Sequence, residues 1–255
     1  MIKFFRHIRK DLMEQNKTGK YLKYAIGEII LVVIGILIAL SINNWNEGQN
    51  KKQLEKNYLQ NFLLDLKTDS LCLARNYETL NNEKKVGLKL IKKLLDSSPS
   101  CCQDSIKTAI ANSSFLGWAI HNERSKATFN EIVSSGNLKL ISNPNLRVAI
   151  MKYYAYWDHA YERQEQRKSN YANLTYELFE LDTKDDDAEW FYEMLRQNNA
   201  ELEFRKEFRH EVRYAEFLEN VTLRFLTPRM NYLKEIIEME LSGGSYNIET
   251  PQEDW

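Results

Sequence analysis

The strongest grouping of chemically capable residues in the chain is Glu207-Phe208-Arg209-His210. A Glu-x-x-His spacing sets both side chains on one helical face, the ligand pattern of di-iron carboxylate bundles. Such a centre needs a second copy and two more inward acids, and the sequence contains no other Glu-x-x-His. With Arg205, Arg209 and Arg213 around it, the stretch reads as a solvated face of mixed charge. His121 and His159 lack metal-ligand spacing. Asp158 precedes His159, but adjacent residues of a helix point about 100° apart. No G-x-S-x-G, P-loop or dinucleotide fingerprint occurs. The sequence thus predicts no catalytic, cofactor-binding or metal-ligating residue.

Two further groups invite a chemical question. The aromatic cluster Tyr153, Tyr154, Tyr156, Trp157 and Tyr161 could line a ligand pocket, because flat rings hold apolar or cationic groups; Tyr153, Trp157 and Tyr161 are its main candidates. The same spacing also suits a core stripe of one helix. Cys72, Cys101 and Cys102 raise the possibility of a disulfide. A straight helix from Cys72 to Asp96 places its end roughly 35 Å away, so Cys72 reads as a small buried residue. Cys101 and Cys102 could form a vicinal disulfide, bridge two protomers or stay as thiols.

The elements that must position these residues are helical. Nine Gly and four Pro in 255 residues are few, and the abundance of Leu, Lys, Glu, Asn and Tyr favours long helices over a turn-rich sheet fold. The formal charge of -1 hides an asymmetry. Residues 1–42 carry seven Lys or Arg against three acids, leaving 28 against 33 in the remainder. A mildly acidic body gives no electrostatic reason to expect nucleic-acid binding.

Residues 24–42, YAIGEIILVVIGILIALSI, hold one charge, Glu28. At about 1.5 Å per residue the stretch is roughly 28 Å long, close to the hydrocarbon thickness of a bilayer. The basic segment 1–23, with Lys3, Arg6, Arg9, Lys10, Lys17, Lys20 and Lys23, orients it with the N-terminus in the cytoplasm. Ile2, Phe5, Ile8 and Leu12 add an apolar stripe suited to the inner membrane surface. A cleaved signal peptide is the competing reading, since the charge-free run 29–42 is short and Ala39-Leu40-Ser41 loosely fits a cleavage site. Glu28, Gly35 and Ala39 share one helical face, where small residues permit close helix approach and an acid could join spans. The simpler reading of Glu28 is an acid that reaches the interface or pairs with Lys20 or Lys23.

The block GEIILVVIGILIALSINNWNE, preceded by IKFFRHIRKDLMEQNKTGKYLKYAI, resembles the N-terminus of an uncharacterised family of single-span membrane proteins common in Bacteroidota. SSGNLKLISNPNLR, residues 134–147, is similar to a second segment of that family. The resemblance implies a Gram-negative inner membrane and a periplasmic body, and no activity. Asp69-Ser70-Leu71 and Asp104-Ser105-Ile106 also resemble acceptor tripeptides of periplasmic O-glycosylation, although a mid-helix acceptor is poorly accessible.

The expected fold class is all-α: a transmembrane helix at 24–42, a helical bundle at 43–241 and a disordered acidic tail at 242–255. Leu59, Leu63, Leu66, Ser70, Leu73, Tyr77 and Leu80 alternate steps of four and three, with Phe62, Leu64 and Leu71 widening the seam. That helix should end near Asp96. Short helices are expected at about 103–111 and 125–134, the second closed by Gly136. Asn143 with Pro144 should start a helix carrying Leu146, Ile150, Tyr153, Trp157 and Tyr161. The stripe resumes at Tyr171. Asp185-Asp186-Asp187 should open a run through Phe204, Phe208, Val212 and Leu218, kinked or interrupted at Pro228 and stopped at Gly243-Gly244.

A cytoplasmic piece of about 23 residues cannot form an output domain with its own core. The leading expectation is a non-enzymatic scaffold or accessory subunit of an envelope complex, held by the lipid bilayer and meeting another copy or other inner-membrane proteins. A periplasmic ligand-binding sensor, with its pocket near the aromatic cluster, is the second; an enzyme of unknown class is the third.

Overall fold

The computed structural model describes residues 18–96, 106–114, 124–179 and 187–244. The segment 1–17, Cys101, Cys102, Phe115, Leu116, Trp118, Ile120, His121 and the tail beyond Gly244 lie outside them. The described residues form helices and turns, with no strand among them. The chain divides into two compact units, Met1–Glu55 and Lys56–Trp255.

Helix α1, Thr18–Thr79, supplies the described part of the first unit and opens the second. Its stretch from Ala25 is long and apolar enough to cross a membrane, and residues 29–47 are exposed throughout. Outside the span, Lys51 Nζ pairs with Glu47 one turn earlier at 2.7 Å, and that hydrogen bond holds the Glu47 carboxyl below its ordinary range.

In the second unit α1 continues through a π turn, Leu80–Lys84, into α2, Lys85–Asp96; the expected helix end near Asp96 falls at the edge of the described residues. The buried stripe of α1 is Tyr58, Leu59, Phe62, Asp65, Leu66, Asp69, Cys72 and Leu73. The repeat Leu59, Leu66, Leu73 and Leu80 of the expected seam is buried, whereas Ser70 is exposed. Leu64 and Leu71 are exposed and do not widen the seam, because each lies five residues, about 140° around the helix, beyond Leu59 and Leu66.

Helix α3, Ile106–Ser114, packs closely against α2. Gly87 permits this approach: a Cβ there would lie 2.7 Å from the Ala109 carbonyl oxygen and 2.8 Å from the Ser113 nitrogen. Helix α4, Ala127–Ser134, ends at Gly136, whose φ of 69° is the left-handed conformation expected of it. The connector that follows is a 3-10 turn, Asn137–Leu140.

Helix α5, Pro144–Arg167, starts as the sequence predicts. The Asn143 side chain accepts from the Asn145 and Leu146 backbone N–H groups at 3.0 and 3.3 Å, with Pro144 in the first turn. Helix α6, Tyr171–Leu178, packs on α3 and on the later helix Glu201–Asn220. Asp187 caps α7, Ala188–Gln197, by accepting from the Trp190 N–H at 2.8 Å. The run expected to continue from there is broken: Asn199 takes a positive φ of 52°, and α8, Glu201–Asn220, starts afresh after it. Asn tolerates this conformation better than most residues do, and that local turn overrides the helical periodicity on either side.

Pro228 does not break the last helix sharply. A π turn, Val221–Leu226, precedes α9, Thr227–Ser242, and Pro228 falls in the first turn of α9. Proline cannot donate its helical hydrogen bond, and the wider turn accommodates it. The Thr227 backbone N–H and its hydroxyl both bond the Thr222 carbonyl, the hydroxyl at 2.7 Å. Gly243, at φ 74°, closes α9: Gly243 N–H reaches the Glu240 carbonyl and Gly244 N–H the Met239 carbonyl, the double bond pattern of a Schellman end. The core joins Phe62, Leu80, Ile91, Trp157, Tyr171, Phe191, Phe204 and Leu233 in one apolar cluster.

Candidate functional site

Three places hold the residues that sequence and structure single out. The first is the face of α1 with Glu28, Gly35 and Ala39. All three lie on the helix, Glu28 half-buried and the other two exposed, and nothing lies within 4 Å of the space a Cβ would take at Gly35. That surface is open to lipid or to another helix.

The second is where the aromatic stripe of α5 meets α1. Tyr153 and Trp157 are 2% and 1% exposed, so they are core, with Tyr154 beside them; Tyr161 is half-buried. Tyr153 stands edge-on to both Tyr154 and Trp157, and Phe129 of α4 stacks on Tyr154 with centroids 4.2 Å apart. The stripe borders a buried polar network that sequence periodicity did not disclose. Asp69, fully buried, accepts from the Tyr153 hydroxyl at 2.6 Å and from the Ser125 N–H at 2.8 Å. Asp65, one turn earlier, accepts from the Ser125 hydroxyl at 2.5 Å and from the Thr128 N–H at 3.1 Å. The two acids therefore satisfy donors at the start of α4, which has no side-chain cap of its own.

Arg124 completes the network. Its guanidinium donates to the Tyr154 carbonyl at 3.2 Å and pairs with Asp158, which also receives Lys126 Nζ at 2.8 Å. Burial pushes the Asp69 carboxyl up to about 6; the Tyr153 hydroxyl, the Ser125 N–H and Arg124 draw it down, and Asp65 raises it. Burial also drives the Tyr153 hydroxyl well above its ordinary range, with the Asp69 charge adding to it. Burial lowers the Arg124 guanidinium, against the pull of Asp158. Chemically the cluster can hold a proton between Asp69 and Tyr153. Neither group reaches solvent, and together they tie the start of α4 to α1 and α5.

The third place corrects the expected solvated face at Glu207 and His210. Glu207 is only 9% exposed and Glu211 4%, because both point into the bundle. Glu207 accepts from the Asn170 N–H at 2.9 Å, at the start of α6. Glu211 pairs with buried Lys84 and accepts from the Ser169 hydroxyl, while Lys84 also donates to the Ser113 carbonyl at 3.0 Å. Ser113 and Tyr171 share a hydrogen bond at 2.9 Å, and burial raises the Tyr171 hydroxyl. His210 is exposed, with Nδ1 3.9 Å from Glu207. Among the described residues no group of three His, Cys, Asp or Glu is placed to hold a metal ion. Cys72 is a buried thiol that accepts from Asn76 Nδ2 at 3.5 Å.

Sequence reasoning missed Asp65, Asp69, Lys84 and Glu211 as buried residues. For the three acids the available signal was their position on the apolar stripes of α1 and α8. Asp65 is three residues after Phe62 and Asp69 three after Leu66, while Glu211 is three after Phe208.

Fold and sites together define an all-helical protein with one candidate membrane helix among the described residues. A family model matches residues 28–176, and the chain belongs to that family, the family of unknown function DUF6090. The match takes in Glu28, Gly35 and Ala39, the acids Asp65 and Asp69, and the aromatic stripe of α5. No curated protein and no solved structure matches the chain.

Proposed function

We propose that the protein is a non-enzymatic, membrane-anchored scaffold or accessory subunit of an envelope complex, with its N-terminus in the cytoplasm and its body in the periplasm of a Gram-negative bacterium. The observation that carries it is the exposed face of α1: 29–42 is apolar and uncovered, and the small residues Gly35 and Ala39 offer a surface on which a second helix can come close. Glu28 adds a polar contact on the same face. The basic excess of the first 23 residues supports the orientation, and the resemblance of the N-terminal block supports the compartment. Tyr153 and Trp157 are packed in the core, which suits a structural part for the aromatic stripe within the bundle.

The test is crosslinking in native membranes followed by capture of the full chain, beside a version in which 24–42 is replaced by an unrelated span. Specific proteins recovered at near-stoichiometric yield with the native span, and lost with the replacement, are expected. Recovery of the chain alone in both cases overturns the proposal.

A further inference from the structure

An open cleft of about 470 Å³ lies between α2 and α8. Its cations are Lys92 of α2 and Arg205, Arg209 and Arg213 of α8, and its floor includes the apolar side chains of Phe208 and Val212. Two carboxylates, Asp96 and Glu216, share the rim, so cations outnumber acids four to two. The size falls in the range of small-molecule sites, about 300 to 1,000 Å³. The three arginines recur every fourth residue and form a row along one edge of α8, about 6 Å per step.

The members of that row differ. Arg205 is committed, donating to the Leu95 carbonyl at 2.9 Å and to Glu201 at 3.0 Å. Arg209 and Arg213 are exposed, and neither has an ion-pair partner among the described residues. Two like charges one turn apart repel. An anion bridging them relieves the repulsion, and a guanidinium fork matches phosphoryl oxygens two at a time.

We propose that this cleft binds a phosphate-bearing ligand, with anionic groups on Arg209 and Arg213, further positive charge from Lys92, and an apolar portion over Phe208 and Val212. The phosphoryl group can belong to a free small molecule or to a lipid headgroup. This goes beyond the scaffold reading and stands on residues outside the span. It also lies largely beyond the family match, since α8 follows residue 176.

The experiment is calorimetric titration of inorganic pyrophosphate into the full chain in phosphatidylcholine nanodiscs. One saturable site per chain is expected, weakening as salt rises. Arg209→Gln with Arg213→Gln should weaken binding at least about tenfold, in line with loss of charge-assisted bonds. Both side chains are exposed, so the melting temperature should hold. A control pair, Lys52→Gln with Lys67→Gln, removes as much charge elsewhere and should leave binding unchanged. Repeating the titration in discs containing phosphatidylglycerol separates the sources: loss of pyrophosphate binding identifies a headgroup ligand, and retained binding a soluble one. Absence of saturable binding, or equal weakening by the control pair, overturns the proposal.

Discussion

Replacing Asp69 by Asn should change how the stability of the body depends on pH. The carboxyl of Asp69 is fully buried and titrates near 6 in the folded chain, against 3.8 for an ordinary aspartate. Its folded value is raised, so between those two limits the folded state binds more proton than the unfolded one. Stability from this group is therefore present at low pH and is lost as pH rises through about 6. At about 1.4 kcal/mol per unit, the full span of the shift is worth roughly 3 kcal/mol. Between pH 7.5 and 4.5 about 2 kcal/mol of it should be expressed. Asparagine keeps an oxygen for the Ser125 N–H and does not titrate, so it removes the slope.

The assay is urea unfolding of the full chain in detergent, followed by tryptophan fluorescence, since Trp157 and Trp190 are both buried. The stability difference between wild type and Asp69→Asn should shift in favour of wild type by about 2 kcal/mol as pH falls from 7.5 to 4.5, or about 1 M in urea midpoint. Other titrating groups largely cancel in that difference. Tyr153→Phe should act oppositely: it deletes the 2.6 Å donor, raises the Asp69 carboxyl further and steepens the dependence. A difference that stays flat with pH, or that favours wild type as pH rises, refutes the account of Asp69.

Further outcomes follow from the bundle. Gly87→Ala gains helix propensity worth about 1 kcal/mol, yet it drives a methyl group into the Ala109 and Ser113 backbone, so a net loss of about 2 kcal/mol is expected from thermal unfolding. Lys84→Met leaves Glu211 buried without its cation and should cost roughly 3 to 5 kcal/mol, whereas Lys84→Met combined with Glu211→Leu should recover most of that in the same melts. Asn143→Ala removes an N-cap that accepts two backbone bonds and should lower stability by about 1 kcal/mol.

Much of the fold was legible because its signals are local. Asn143 before Pro144, Asp187 before α7, and the glycines at 136 and 243 each act on neighbours within a turn, and each is found in its expected role; the apolar run from Ala25 lies on a helix long and apolar enough to cross a membrane. The π turns at 80–84 and 221–226 carry no comparable signature, since they redistribute hydrogen bonds inside stretches that remain helical. The buried acids escaped for another reason. Asp69 is accepted into the core by Tyr153, 84 residues away, and Glu207 by the Asn170 N–H, 37 residues away. Their positions fall on the apolar stripes, but a carboxylate there breaks the hydrophobic pattern, and only the partner brought by the fold makes its burial affordable. Leu64 and Leu71 are the converse case, apolar residues that stand on the side of α1 away from the core.

The central claim is that the anchor is a contact surface as well as a tether, and a photocrosslinking residue placed in the span tests it most directly. At Ala39 it lies on the face of Gly35, while at Leu37 it points about 200° away from Gly35. Irradiation of native membranes should give a discrete protein adduct from position 39 and none from position 37. Adducts of equal yield from both positions, or no protein adduct from either, would contradict the account.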